Sequence, residues 1–467
     1  MAEGSNKSTG GELQRSINLV GAVALVAGAV VGAGIFVQVQ PIAAGAGGAI
    51  WLAFIVSIVI SIFGVIPIIE LSGALPRAGA GFLFGSRLLS PFLGWLTSYC
   101  LILGGGASTT VVALTLAKYV PLTHALAEHT PIPASDHLNA LIVLLGFYIV
   151  YQVGMRLAMS LQVLMAVQFV TALLVYGIAG LFHVELDAAL VPHAGAGPFI
   201  EAVLLAYATC MGFQVIAEMG EEIKDARRNI PLALILGGVV VAIIYILVGQ
   251  VYISTQPLHA PGAFAAFHQP LTESGTPFLG PFWLRFLGFG AVTAGLTSLN
   301  AAALAIPREF FAQARDGVGP AVLARVSPRT HSPNNAVTLF FLFVVLLIAG
   351  GQGVDFYGLA AAIGILSVSS MLSLAALRLP RVYPERHAGA YIQFSRTTLI
   401  LCAVITIGVS LAMGIVLALE APVVVGLYAV WLVLAVVLYL VYTRRFTPED
   451  WARLEDIPGK DEDTPAP

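Results

Sequence analysis

The stretch with the most chemistry to offer does so through its backbone. Gly28-Ala29-Val30-Val31-Gly32-Ala33-Gly34-Ile35-Phe36 places three glycines within seven residues of the first apolar run. Glycine holds a helix weakly and leaves the chain without side-chain cover. A helix interrupted here presents unpaired amides and carbonyls. In hydrocarbon each such group costs several kcal/mol, so an unwound turn persists only where it lines a polar cavity. The spacing Gly28-x-x-x-Gly32 equally marks close helix packing, and this stretch alone fits both readings.

Side chains that could carry charge inside the apolar runs are few. Glu218, Glu221 and Glu222 close the sixth run; on a helix they share one face, and a charge at membrane depth turns toward protein or water. Glu221 and Glu222 are expected to pair with Lys224, Arg227 or Arg308. Glu218 is either a proton carrier, held neutral by burial, or one half of a structural ion pair. Gln162 and Gln168 in the fifth run are six residues apart and therefore face differently. The eighth run offers Thr293, Thr297, Ser298 and Asn300 at roughly helical spacing. Their hydroxyls suit either a sodium site completed by first-run carbonyls or bonds to neighbouring helices. Cys100, Cys210 and Cys402 lack metal-ligand spacing and read as small packing residues, so neither metal nor cofactor is expected. Seven histidines (His124, His129, His137, His183, His193, His259, His268) fall on the outer side, as pH sensors or as ordinary loop residues.

These residues need elements to hold them. With 58% hydrophobic and 10% charged residues and a mean hydropathy of +0.92, the chain cannot hide its apolar surface inside one soluble core. It reads as an integral membrane protein. Twelve runs of about 20 apolar residues, the first at 17-38 and the sixth at 199-223, are long enough to span a bilayer. Of the 22 Lys and Arg, all but Lys118 and Arg285 fall on one side. With that side in the cytoplasm, both termini are cytoplasmic and the membrane is the cell (inner) membrane. Residues 1-16 form a polar tail without the short apolar core of a cleavable signal. The acidic stretch 447-467 reads as a disordered tail. The net charge of -3 implies no nucleic acid. An enzyme would need intramembrane His, Asp or metal-ligand clusters and a channel a continuous polar pathway; the sequence displays neither.

Three segments between the runs carry a resemblance. Glu70-Leu71-Ser72-Gly73-Ala74-Leu75-Pro76-Arg77-Ala78-Gly79-Ala80-Gly81-Phe82 follows the second run, and Glu221-Glu222-Ile223-Lys224-Asp225-Ala226-Arg227-Arg228-Asn229-Ile230-Pro231 the sixth. Arg308-Glu309-Phe310-Phe311-Ala312-Gln313-Ala314-Arg315-Asp316-Gly317-Val318-Gly319-Pro320 follows the eighth. In order and spacing, together with the first-run glycines, they resemble the motifs of amino acid-polyamine-organocation (APC) transporters. The resemblance implies an all-α membrane protein of twelve transmembrane helices with the leucine-transporter-like fold. Inverted five-helix repeats would occupy 17-182 and 199-377, and two additional helices 397-442. An odd number of helices per repeat independently forces the halves into opposite orientations.

The resemblance also makes the sixth run the partner of the first, broken in the matching place. Tyr207-Ala208-Thr209-Cys210-Met211-Gly212-Phe213-Gln214 fits, although with one glycine the break is less evident. Relatives carry a bulky aromatic near Ala208; alanine leaves a roomier pocket or a gate formed by Tyr207 or Phe213, which fit a packing role equally. Many relatives place a lysine where Gln168 stands, beside the first and eighth helices in place of a sodium ion. Gln168 carries no titratable charge, but its amide suits a link between those two helices. The connection 254-282 would contain a short helix acting as an outer lid.

The function implied is a secondary active amino acid transporter working by alternating access. Amides of Ala33 and Gly34, at the start of the second half-helix, would face a carboxylate. The carbonyls of Val30 and of residues near Ala208 and Met211 would accept from the ammonium, with Gly32, Tyr207 and Gly212 shaping the site. The third, sixth, eighth and tenth helices would wall the side-chain pocket. With no carboxylate there except the deeper Glu218, the expected substrate is a neutral or apolar amino acid. A polyamine or other organic amine transporter is the alternative. Gln168, Glu218 and Ser298 are the coupling or helix-linking candidates, with protons preferred over sodium.

Overall fold

The computed structural model describes residues 13–32, 34–119, 123, 135–183, 195–255, 267 and 269–455. Their regular structure is helical, two isolated bridges apart. Helix α1 (Leu19–Val31) starts at Asn18, whose side-chain oxygen accepts from the Gly21 amide at 2.9 Å. It stops at Gly32, whose φ of +42° a side-chain-bearing residue rarely adopts. Helix α2 (Gly34–Ala46) then resumes, so the glycine run is a break.

Helices α3 (Ile50–Ala74), α4 (Ala80–Leu88), α5 (Pro91–Tyr119), α6 (Asp136–Val153) and α7 (Met155–Leu181) complete the first half. The second half begins with α8 (Ala196–Thr209) and a 3-10 turn, Phe213–Ile216. It continues through α9 (Ala226–Ser254), the short α10 (Pro270–Ser274), α11 (Pro281–Ala305), α12 (Pro307–Arg315), α13 (Asn334–Ala349) and α14 (Val354–Val382). The short α15 (Pro384–Ala388), the long α16 (Arg396–Glu420) and α17 (Pro422–Thr443), and α18 (Pro448–Glu455) follow. Among the described residues, ten helical stretches are long and apolar enough to cross a membrane, and α1 and α13 are shorter apolar helices. Exposed Leu401, Val404, Leu411 and Ile415 on α16, and Val430, Val433 and Leu440 on α17, form apolar faces that suit lipid and not water.

Two expectations change. The sixth run is not helical to residue 223: α8 ends at Thr209, Gly212 has a φ of +124°, and 217–225 is irregular. The break is therefore more complete than the single glycine suggested, and Glu218, Glu221 and Glu222 share no helical face. The reason is tertiary: other segments take the hydrogen bonds that a helix would supply. The Ser16 and Ile17 amides donate to the Glu222 carbonyl at 2.9 and 3.0 Å, the Lys224 amide to Ile17 at 2.8 Å and the Gly79 amide to Glu218 at 3.3 Å.

The C-terminal stretch also holds structure, since α18 buries Leu454 with Phe82, Trp95 and Tyr439. Residues 456–467 of the expected tail lie outside the described residues, as do 1–12, residues 256–266 and 268 of the connection expected to form a lid, and His124, His129, His193, His259 and His268; the short helix expected in that connection is α10. Elsewhere small residues set the packing. Gly104 of α5 meets α14 so closely that a Cβ would sit 3.1 Å from the Ile365 amide nitrogen.

Candidate functional site

The two breaks lie side by side. A Cβ on Gly212 would stand 2.9 Å from the Ala29 carbonyl oxygen, so only glycine allows this approach. The last carbonyls of a helix have no partner within it, and one hydroxyl serves both stumps. Tyr245 of α9 donates toward Thr209 at the end of α8 (2.8 Å) and toward Val30 (3.1 Å) and Val31 (3.5 Å) at the end of α1. A hydroxyl has one proton, so these acceptors compete for it. A phenol within an apolar run was the available signal, and sequence reading passed over it.

A small hollow opens beside the second break. Tyr207, Met211 and Gly212 line it, together with Cys210, Phe213 and Gln214. Its other walls are Ser61, Gly64, Val65 and Ile68 of α3 and Ile365 and Ser369 of α14. No charged side chain is among them. The tenth-run wall was expected, whereas the α3 wall was not, and the third and eighth runs contribute nothing to this hollow. Ala208 is exposed on α8 outside it. Val30 is buried beneath Tyr245, Gly32 forms the turn against the Ser298 hydroxyl, and Gly34 opens α2 with its α-carbon facing Thr209. Ala33 lies outside the described residues.

Behind the first break, polar side chains join α1 to the helices around it. Ser298 donates to the Gly28 carbonyl at 2.9 Å, with Thr297 at 3.4 Å from the same oxygen. Gln162 donates to the Ala24 carbonyl at 3.3 Å and accepts from Asn300 at 2.8 Å; Asn300 also donates to Ala158 and accepts from Tyr151. Gln168 does not link the first and eighth helices. Its nitrogen donates to the Phe286 carbonyl at 2.9 Å and its oxygen accepts from Thr293, both on α11. Gln162, six residues earlier, faces both α1 and α11, because the helical rotation between the two amides turns only one of them to that seam.

At the end where α4 and α12 meet the irregular segment, charges pair, most of them buried. Arg308 binds Glu222 at 2.7 Å with both side chains almost wholly buried, Arg315 binds Glu221 at 2.8 Å, and Arg87 binds Asp316 at 2.6 Å. Arg308 was among the expected cations, and Arg315 was not. Glu309 accepts from the Gly81 and Phe82 amides at 2.9 and 3.1 Å, at the start of α4. Glu218 accepts from the same Gly81 amide at 3.1 Å. Glu218 is thus at this end and not at the hollow.

Comparison with known proteins agrees with this architecture. A family model described as amino acid permease matches residues 17–450. An uncharacterized transporter of Mycobacterium tuberculosis is 29% identical over 371 residues, covering 77% of this chain and 80% of its own. The branched-chain amino acid permease of Bacillus subtilis is 24% identical over 464 residues, 94% of this chain and 95% of its own. The human cationic amino acid transporter 4 is 27% identical over 407 residues, 81% of this chain and 62% of its own.

Proposed function

Because the chain belongs to the amino acid permease family, and is thus a multi-pass membrane transport protein rather than an enzyme, we propose that it carries a neutral or apolar amino acid by alternating access around two broken helices. The observation that carries this reading is the adjacency of the two breaks to a hollow without a charged side chain. In our reading the carboxylate takes the amides at the start of α2, from Ala33 and Gly34, where the helix dipole favours an anion. The ammonium takes carbonyls near Ala208 and Met211, and the Val30 carbonyl when Tyr245 turns to Thr209. The side chain enters the hollow between α3 and α14. The names of the relatives span branched-chain and cationic amino acids; an uncharged lining favours the former.

An amine substrate would need a carboxylate in the pocket, and Glu218, 1% exposed and held at Gly81, is not offered there. The broader arrangement belongs to the same proposal: twelve crossings, both termini in the cytoplasm of a cell (inner) membrane, and inverted repeats over 17-182 and 199-377. In support, α1 runs 13 residues before its break and α8 14 before its own. Protons are preferred to sodium as coupling ion. The space between Gly28 and Thr297 is met by the Gln162 amide nitrogen, a donor that repels a cation.

Labelled amino acids and amines offered to reconstituted vesicles, with and without sodium and pH gradients, test the reading. Uptake of uncharged amino acids, independent of sodium, is expected. Transport of polyamines or dibasic amino acids alone overturns it.

A further inference from the structure

Glu218 and Glu309 lie at the end where Glu222, Glu221 and Asp316 each hold an arginine. These two carboxyls instead meet each other. They are 1% and 0% exposed, and both accept from the one Gly81 amide, at 3.1 and 2.9 Å. Their side chains thus converge on one donor, and the second oxygen of Glu218 is buried without a hydrogen-bond partner. Two full negative charges on one amide in a dry interface repel strongly, whereas a proton between them replaces repulsion with a hydrogen bond.

We propose that Glu218 and Glu309 together form a proton-binding site, which holds one proton while the arginine-rich end is closed and gives it up when that end opens. This deepens the transport reading and rests on it. Glu309 belongs with α4 and α12: it caps α4, and a Cβ on Gly79 would stand 2.7 Å from the Arg308 carbonyl oxygen. Glu218 belongs to the irregular segment that follows the second break. The pair therefore spans the contact between the α4–α12 corner and the irregular segment, which parts if this end opens along it. Parting it admits water, separates the carboxyls and lets both ionise, so the closed end binds one proton more than the open one. By linkage, falling pH favours closure.

Among the described residues, charged or titratable groups at this seam include Arg308 with Glu222, Arg315 with Glu221, Arg87 with Asp316, Arg77, whose backbone packs on Gly220, and Tyr151 of α6. Each carboxylate among them is paired with an arginine, as Glu218 and Glu309 are not. They leave the shared proton to the acid pair.

Infrared spectra of the purified full chain at neutral pH provide a readout that does not need transport. A protonated-carboxyl band is expected, and E218Q and E309Q should each remove it by leaving a lone carboxylate beside an amide. In vesicles, amino acid exchange by the wild type should fall about tenfold as the pH on the arginine-rich side is lowered, the scale of an ordinary coupling free energy, and E218Q, whose amide stands in for the protonated acid, should flatten that profile. A band unchanged in both variants, or one pH profile common to wild type and variants, overturns the proposal. If the wild type exchanges no amino acid, the transport reading falls, and the infrared result still decides whether the pair holds a proton.

Discussion

The Asn300 side-chain amide of α11 donates a 2.8 Å hydrogen bond to Gln162 of α7, while the nitrogen of Gln162 reaches the Ala24 carbonyl of α1 at 3.3 Å. One buried amide thus ties three helices just behind the first break, so that α1 bears on a fixed partner there.

Replacing that amide by Gln162→Leu should leave one buried N–H of Asn300 without its acceptor and take a donor from the Ala24 carbonyl. The expected loss is about 1–3 kcal/mol, read as a lower unfolding midpoint in detergent. Gln168→Leu, which breaks contacts to α11 alone, should slow transport less. Equal effects of the two would contradict the different roles assigned to them.

Tyr245→Phe keeps the ring and removes the hydroxyl shared by Thr209 and Val30. Because two buried carbonyls then lose their common donor, a cost of about 1–3 kcal/mol is expected. Exchange should be altered more than thermal stability, since the lost contact spans both breaks. A variant with wild-type exchange kinetics would refute the bridging role.

Arg308→Gln strands Glu222 as a buried unpaired charge, and breaking such a pair costs about 3–5 kcal/mol. Arg308→Met combined with Glu222→Leu should recover most of the stability, because two apolar groups need no partner. Melting curves of the single and double variants decide this; a double variant no better than the single would show that the ion pair is not the source of the loss.

Gly64 lines the hollow, and a Cβ placed on it meets nothing within 4 Å. Gly64→Leu should therefore fold as well as the wild type, with a helix propensity gain of up to about 1 kcal/mol. It should also shrink the hollow. Affinity for substrates with large side chains should drop by about tenfold or more, while that for the smallest changes little. Competition assays across side-chain size measure this, and a uniform loss for all sizes would place the side chain elsewhere.

The first break was legible because its cause is local: three glycines weaken seven residues whatever surrounds them. The second was underestimated because its cause is remote. Its irregular segment is held by residues 16–17 and 78–81, far away in the chain, and one glycine against the Ala29 carbonyl suffices. The pairing of Glu221 with Arg315 was missed for the same reason, whereas Arg308, named with Lys224 and Arg227 as a candidate, does bind Glu222.

By itself the sequence determined the membrane as solvent and the all-helical class, since composition and run length act residue by residue, and its motifs carried the family; it marked the first interruption as one of two readings, which the φ of Gly32 decided. Tertiary structure alone decided that Gln162 and not Gln168 faces α1, that α3 walls the hollow, and that Glu218 meets Glu309. Helical periodicity says which residues share a face; what stands opposite that face is set by how distant helices pack.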